Sequence, residues 1–474
     1  MRRTAILALS ALLCGGAAAT EPTVIPPEAM AAAATLRERA LKDDTAWTVL
    51  EALTTEIGPR LAGSANDARA VAWAQARLRA LGYDKVWTEP VTYPRWVRRA
   101  ESAELVSPYP HRLVAAALGF SPGTPRGGLT ATVVAFDSLE ALKAADAAAL
   151  KGRLVYVGVR MQAHRDGHDY GKGSAVRTRG PAVAAAKGAA GFLLRSAGTD
   201  SDRLAHTGVT RWDDGGRRIP AAALSNPDAD LLEAALRRGQ PVRLKLALDC
   251  GIEGSYTGAN VIGEITGSAR PDEVVVLGGH LDSWDAGTGA IDDGAGVAIA
   301  MAAGHLIGEG TPRPQRSVRV IAFANEEMGL FGGRAYAEAH RDEVARHVLG
   351  AESDFGAGRI WRLEASVKPE ARGAIDQIMQ VLAPLGVERG AGPGEGGPDL
   401  GAMHALGMAA LGLTQDGTRY FDWHHTANDT LDKVDPAALR QNVAVYAAWV
   451  YLAAQAQGDF GSAPGAFAQD RGED

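Results

Sequence analysis

The sequence predicts an α/β protein: a mixed, mostly parallel sheet flanked by helices, with a β-rich region inserted into it. Three observations predict this. From Ser255 onward, short apolar runs alternate with helical patterns, the rhythm of a parallel sheet with crossover helices. Two of those runs, at 274–277 and 318–323, are apolar at almost every position, as strands covered on both faces require. Acids or a histidine follow each within a few residues. Between about Val97 and Leu248 the rhythm gives way to strand-like runs set among glycine-rich turns.

Taken in order, residues 1–19 read as a secretory signal. Arg2 and Arg3 supply the positive start, 5–13 an apolar core too short to span a bilayer, and Ala17-Ala18-Ala19 a small-residue cleavage site before Thr20. Leu13 before Cys14 is too large for the usual lipoprotein box, and the rest of a twin-arginine pattern is absent. With the signal removed, Cys250 is the one remaining cysteine, so the fold relies on its core and on metal rather than on a disulfide.

Residues 27–54 read as helical, with Ala31, Leu36, Ala40 and Leu41 on one face. A break follows at Ile57-Gly58-Pro59-Arg60-Leu61-Ala62-Gly63-Ser64. Ala70, Trp73, Ala74, Arg77, Leu78 and Leu81 have the spacing of a helix over 67–81, which Gly82 ends. A strand is expected at 86–91. The inserted region offers strands at 133–136, 154–159 and 191–194 and a helix at 181–189. Beyond it, strands are expected at 274–277, 318–323, 348–349 and 408–413, and helices at 294–306, 334–341, 371–385 and 436–456. The small and polar residues 461–474 read as a flexible tail. The implied organisation is a signal (1–19), a first catalytic part (20–114), an insertion (115–250), a second catalytic part (251–460) and the tail.

With 474 residues, 46% hydrophobic and 22% charged, the chain has the composition of a soluble globular protein, neither disordered nor membrane-embedded. A formal charge of -7 without a long basic run argues against nucleic acid as a partner.

The candidate chemistry lies at strand ends, where α/β sheets present their functional groups. The 318–323 run ends in Glu326-Glu327, two neighbouring acids whose side chains point different ways, so one can hold a metal while the other reaches a water. The 274–277 run leads to His280-Leu281-Asp282. Histidine is a good zinc ligand, and an acid two residues on can orient its ring or the metal. Asp292-Asp293 stands at a helix start, where a carboxylate can bridge two cations. Glu352-Ser353-Asp354 and His424-His425, with Asp429 downstream, complete the set. Each part alone has an ordinary explanation, a helix cap or a polar loop. Their joint order is what argues for a metal centre. Asp166, His168 and Asp169 also lie close together, but read as solvated loop groups.

These motifs resemble those of the di-zinc exopeptidases that include bacterial leucyl aminopeptidases and the glutamate carboxypeptidases, most closely the secreted plasma glutamate carboxypeptidase branch. The resemblance spans nearly all of the mature chain and rests on 58–64, on 280–285 and on 323–330. It implies that the insertion is a protease-associated domain over the catalytic sheet. It also implies two zinc ions: His280 and Asp354 complete one site, Glu327 and His425 the other, and Asp292 bridges them. Glu326 becomes the general base and Asp282 the residue orienting His280. His425 is preferred to His424 because the family ligand stands four residues before the aspartate that is here Asp429.

The activity so implied is hydrolysis of dipeptides or short peptides by a secreted or periplasmic enzyme, and a homodimer is compatible with it. Alternatives on the same fold are an aminopeptidase on longer peptides, a glutaminyl-cyclising acyltransferase and a non-catalytic binding protein. Which peptide terminus is recognised is left open. Asp399, Tyr420, Trp284, Arg177 and Arg179 are candidate recognition groups. The one N-glycosylation sequon, Asn428-Asp429-Thr430, would crowd the metal centre if modified, which favours a bacterial-type export route.

Overall fold

The computed structural model describes residues 21–467; the expected signal and cleavage site lie outside the described residues. Fourteen strands form one sheet. They are β1 (Lys85–Ser107), β2 (His111–Leu113), β3 (Ala115–Ala117), β4 (Leu129–Phe136), β5 (Leu154–Val157), β6 (Gly191–Arg195) and β7 (Ala221–Leu224). The remainder are β8 (Arg243–Ile265), β9 (Arg270–His280), β10 (Arg316–Phe323), β11 (His347–Glu352), β12 (Ile360–Ser366), β13 (Glu388–Arg389) and β14 (Ala410–Gln415). The order is β13-β12-β14-β11-β9-β10-β8-β4-β5-β6-β7-β3, with β1 paired to β8 and β2.

The pairs β9–β10, β9–β11 and β11–β14 are parallel, so their carboxyl ends lie along one edge. The helix Ala295–Gly308 packs against β9 and β10 and against the closing helix Pro436–Gln455. It is a buried core helix, although the segment Ala290–Gly308 that contains it is long and apolar enough to cross a membrane. Its alanines and glycines permit close approach. A Cβ on Gly296 would lie 1.8 Å from the Ser353 carbonyl, so only glycine fits where this helix starts beneath the site.

Several expectations are corrected. The region 115–250 is α/β rather than β-rich. β4 to β7 run parallel beside helices Tyr170–Ala186 and Asn226–Leu236. The first of these begins eleven residues before its expected start because glycines mask it. One of them, Gly180, is required: a Cβ there would lie 2.5 Å from the Phe192 ring. The region is also joined to the rest more closely than expected. β8 runs unbroken across the boundary placed at residue 250, pairing β4 at one end and β10 at the other. Finally, residues 461–467 are not a loose tail. Ser462 Oγ donates to the His347 carbonyl, Ala463 N–H to Gly407 and Gly465 N–H to Leu406. Composition registers small polar residues but not the backbone groups that receive them. The helix expected over 27–54 is also divided, into Pro27–Ala40 and Thr45–Ala52.

His347, at the start of β11, carries a testable consequence. The Arg319 guanidinium donates to the Tyr336 hydroxyl (2.9 Å), which donates to His347 Nε2 (2.7 Å), and His347 Nδ1 donates to the Glu343 carbonyl (3.0 Å). This chain requires a neutral imidazole, and burial lowers its pKa to about 4. A depressed pKa gives stability that is present above the ordinary value near 6.5 and lost as pH falls through 4. The contribution is about 3 kcal/mol. Urea unfolding is expected to show that His347→Gln loses less stability than the wild type between pH 7 and pH 4; equal losses would refute it.

Candidate active site and metal centre

Four parallel strands deliver the site at their carboxyl ends. His280 is the last residue of β9, Glu326 and Glu327 follow β10, Asp354 follows β11, and His424 and His425 lie beyond β14. The backbone N–H of His280 donates to Asp293 Oδ2 (3.0 Å), while Asp293 Oδ1 accepts from Gly296 N–H (3.0 Å) and so caps the core helix. Asp293 is thereby consumed as a structural group, and Asp292 faces the cluster. Asp292 Oδ1 lies 3.1 Å from His280 Nε2, and its Oδ2 lies 3.1 Å from His425 Nε2 and 3.3 Å from His424 Nε2. Asp354 Oδ1 is 3.5 Å from His280 Nε2, and Glu327 Oε2 is 3.0 Å from His425 Nε2.

The donors fit a metal pair. Within His280–Asp292–Asp354, and within Asp292–His424–His425, the donor atoms all lie within 4.8 Å of one another, and Asp292 belongs to both groups. Asp292 Oδ2 and Glu327 Oε1 are buried without hydrogen-bond partners, lone pairs that a cation would satisfy. The electrostatics agree. Burial works to lower the His425 pKa, but Glu327 and Asp292 carry it up to about 9. His280 is likewise raised, by Asp354, Asp282 and Asp292 against burial. Burial opposes ionisation of Asp292, yet the histidines around it hold its pKa well below the usual carboxylate range. A field that retains protons on two buried imidazoles favours any cation there. Imidazole and carboxylate donors together suit zinc better than magnesium or calcium.

The two adjacent glutamates have different surroundings. Glu327 Oε2 accepts from Trp284 Nε1 and faces His425. Among the described residues nothing hydrogen-bonds the Glu326 carboxylate, while its backbone N–H donates to Asp282 Oδ1 (3.0 Å). Burial, chiefly, raises the Glu326 pKa well above the ordinary value. Asp282 also fixes His280, though by a route that differs from the expected one. His280 Nδ1 donates to the Asp282 main-chain carbonyl (3.0 Å), with the carboxylate 3.6 Å away. That hydrogen bond leaves the Nε2 lone pair, on the side of Asp292 and Asp354, as the atom that can ligate a metal.

His425 and His424 stack at 3.5 Å. His425 Nδ1 donates to the Thr207 carbonyl (3.2 Å), a contact from the 115–250 region that carries no sequence signal. Thr199 N–H donates to the Phe421 carbonyl and Asn428 Nδ2 to Asp202 Oδ2, so this region borders the site directly. Of the candidate recognition groups, Trp284 touches Glu327, and Asp399 is engaged with Gly333 and Glu352. Tyr420 packs against His424, Arg179 is exposed, and Arg177 is buried. A cavity of about 650 Å³ beside the cluster is lined by Ile291, Trp361, Arg419, Tyr420 and Trp423, and by none of the seven predicted site residues. In the 164–169 loop, His164 joins His168 and Asp169, but Asp169 already pairs with Lys172 (2.6 Å), in keeping with an ordinary polar loop.

Comparison with known proteins gives this centre its class. Residues 260–450, which contain all seven predicted site residues, match peptidase family M28. The chain belongs to that family and is an enzyme, a metallopeptidase of the zinc exopeptidase class that the resemblance indicated. Among its relatives is carboxypeptidase Q of Mus musculus, 33% identical over 402 residues that cover 85% of this chain and 84% of that one. A solved peptidase M28 precursor from Shewanella amazonensis is 47% identical with a TM-score of 0.90, covering 92% of this chain and 99% of its own. An aminopeptidase from an Aneurinibacillus strain shares the fold, with 22% identity and a TM-score of 0.62 over 90% of this chain and 98% of its own.

Proposed function

We propose that this enzyme is a secreted or periplasmic di-zinc exopeptidase that hydrolyses dipeptides or short peptides with a free carboxyl terminus. His280 and Asp354 would hold one zinc, Glu327 and His425 the other, and Asp292 both. Bound there, the pair would supply Lewis acidity, which makes water nucleophilic near neutral pH and polarises a peptide carbonyl. The protein's own part is proton transfer and positioning. Glu326 takes a proton from the attacking water and returns it to the leaving amine. Asp282 holds the Glu326 backbone and the His280 ring in register. Trp284 and Thr207 fix Glu327 and His425.

The observation that carries the substrate class is Arg177. It is buried, its Nε has no hydrogen-bond partner, and no carboxylate pairs with it among the described residues. Its guanidinium lies 5.5 Å from the Tyr170 ring, which in turn is 5.1 Å from the His424 ring, and it abuts Gly208, next to the Thr207 that holds His425. A buried cation without a counter-ion is costly, and a ligand carboxylate beside the metal centre would supply the missing partner. The carboxyl end of a short peptide fits that requirement. The 115–250 region, which borders the site through Thr199, Asp202 and Thr207, would act as a lid that excludes long chains. Attachment of a glycan at Asn428 would break its bond to Asp202, which supports a host that exports without N-glycosylation.

A dipeptide panel with matching carboxyl-terminal amides tests this. Free dipeptides are expected to be hydrolysed, with activity lost to a chelator and restored by zinc, and folded proteins left intact. Arg177→Met is expected to lower kcat/KM on free dipeptides by ~10–100-fold, the worth of a charge-assisted hydrogen bond, and to leave the amides unchanged. Equal hydrolysis of acids and amides would overturn the carboxyl-terminal reading, and cyclisation of amino-terminal glutamine without hydrolysis would overturn the peptidase reading.

A further inference from the structure

The 287–291 segment delivers Asp292, and two side chains from distant parts of the chain grip it from opposite sides. Arg60 is fully buried. Its guanidinium donates to the carbonyls of Thr288 (2.7 Å), Gly289 (2.8 Å) and Leu281, the last of these next to Asp282. Its own backbone N–H donates to Ser283 Oγ (3.2 Å). Asp429 takes the amide side: its Oδ1 accepts from both Ala290 N–H and Ile291 N–H at 2.7 Å, and its carbonyl accepts from Thr288 N–H at 2.8 Å. Gly289, between the two sets of contacts, has φ of 62°, a turn that glycine adopts without strain.

Arg60 is itself held in place. Asn66 Nδ2 donates to the carbonyls of Ile57 (3.1 Å) and Pro59 (2.8 Å), and Asp67 Oδ2 accepts from Gly63 N–H (2.8 Å) and the Tyr93 hydroxyl (2.9 Å). An arginine buried without a carboxylate in direct contact, with its donors directed to carbonyls of the site loops, is not explained by a surface ion pair or by packing. Four acids surround it at longer range: Asp429, Asp282, Asp293 and Asp292.

We propose that Arg60 and Asp429 are positioning residues for the metal centre. Together they clamp the 287–291 loop so that Asp292 projects between His280 and His425, and Arg60 ties that loop to the one bearing Asp282. The inference rests on the reading of Asp292 as the shared ligand. Neither residue touches the donor cluster, so their effect is on how well the cluster is arranged before a metal arrives. Groups that orient ligands in this way are commonly worth ~10–100-fold in metal affinity.

The test is zinc affinity, measured by competition with a chromophoric chelator, together with kcat and KM at saturating zinc. Asp429→Ala and Arg60→Gln are expected to weaken zinc binding by ~10-fold or more while KM at saturating zinc stays near wild type. Asp429→Asn keeps an Oδ1 able to accept both amides and is expected to stay within about 3-fold of wild type. Arg60→Lys, which offers one point donor in place of a fork, is expected to resemble Arg60→Gln. Circular dichroism of the zinc-free chains checks folding, and Asp429→Ser replaces Asp429→Ala if the latter is unfolded. Wild-type affinity in both the Asp429 truncation and Arg60→Gln overturns the clamp, as does an asparagine variant as impaired as the truncation. A wild-type chain that takes up no zinc instead overturns the metal-centre reading on which the clamp depends.

Discussion

Glu326→Gln is expected to lower kcat by ~10² or more while zinc content and unfolding temperature stay at wild-type values. The substitution keeps the side chain's shape and removes its capacity to take a proton. The expectation rests on the contrast between two neighbours. Glu327 is engaged by Trp284 Nε1 and by His425 Nε2, the latter at 3.0 Å, and so belongs to the donor cluster. The Glu326 carboxylate has no such partner, and its backbone is pinned by Asp282. A group that is to exchange protons with a substrate must not be occupied by the protein. Burial raises its pKa, which makes it a stronger base than an exposed glutamate. Metal analysis and turnover measured on one preparation decide the matter: zinc lost in proportion to activity would mean that the two glutamates have exchanged roles.

His425→Ala is expected to remove one zinc equivalent and nearly all turnover, whereas His424→Ala retains both equivalents. Both Nε2 atoms approach Asp292 Oδ2, at 3.1 and 3.3 Å, so distance alone separates them poorly. What separates them is the second nitrogen and the second acid. His425 Nδ1 is tied to the Thr207 carbonyl and its Nε2 also meets Glu327. The His424 ring packs among Tyr170, Tyr420 and Phe421, and burial lowers its pKa well below the ordinary value. A ligand with its far nitrogen anchored holds its ring in place for a metal. Elemental analysis of the two variants is the check, and the reverse pattern would move the ligand by one residue.

Much of the catalytic sheet was legible in the sequence because its signals are local. A run such as 318–323 is apolar on both faces because helices cover both, and the donors follow directly because such sheets place function at strand ends. The resemblance preferred Asp292 to Asp293 and His425 to His424. In the structure Asp293 accepts from Gly296 N–H at the start of the core helix, and the His425 ring is tied to the Thr207 carbonyl. The 115–250 region was less legible. Its helix from Tyr170 is rich in glycine, and its strands are short, so neither period nor propensity marks them strongly.

The sequence by itself determined which residues are candidates. Donor types, their order along the chain and the strands that carry them are local properties of composition and period. Only the tertiary structure decided how those residues are set. Arg60, Asp429 and Asp292 are brought together by hydrogen bonds such as that from Ala290 N–H to Asp429, 139 residues apart. Arg177 stands out only because, among the described residues, its Nε has no hydrogen-bond partner and no carboxylate pairs with it once the chain is folded. The direction of a side chain beyond a strand end, and whether a charge has a partner, depend on which distant segments meet there. That is a property of the packed interior, where an unpaired polar group is costly, and no local window of sequence contains it.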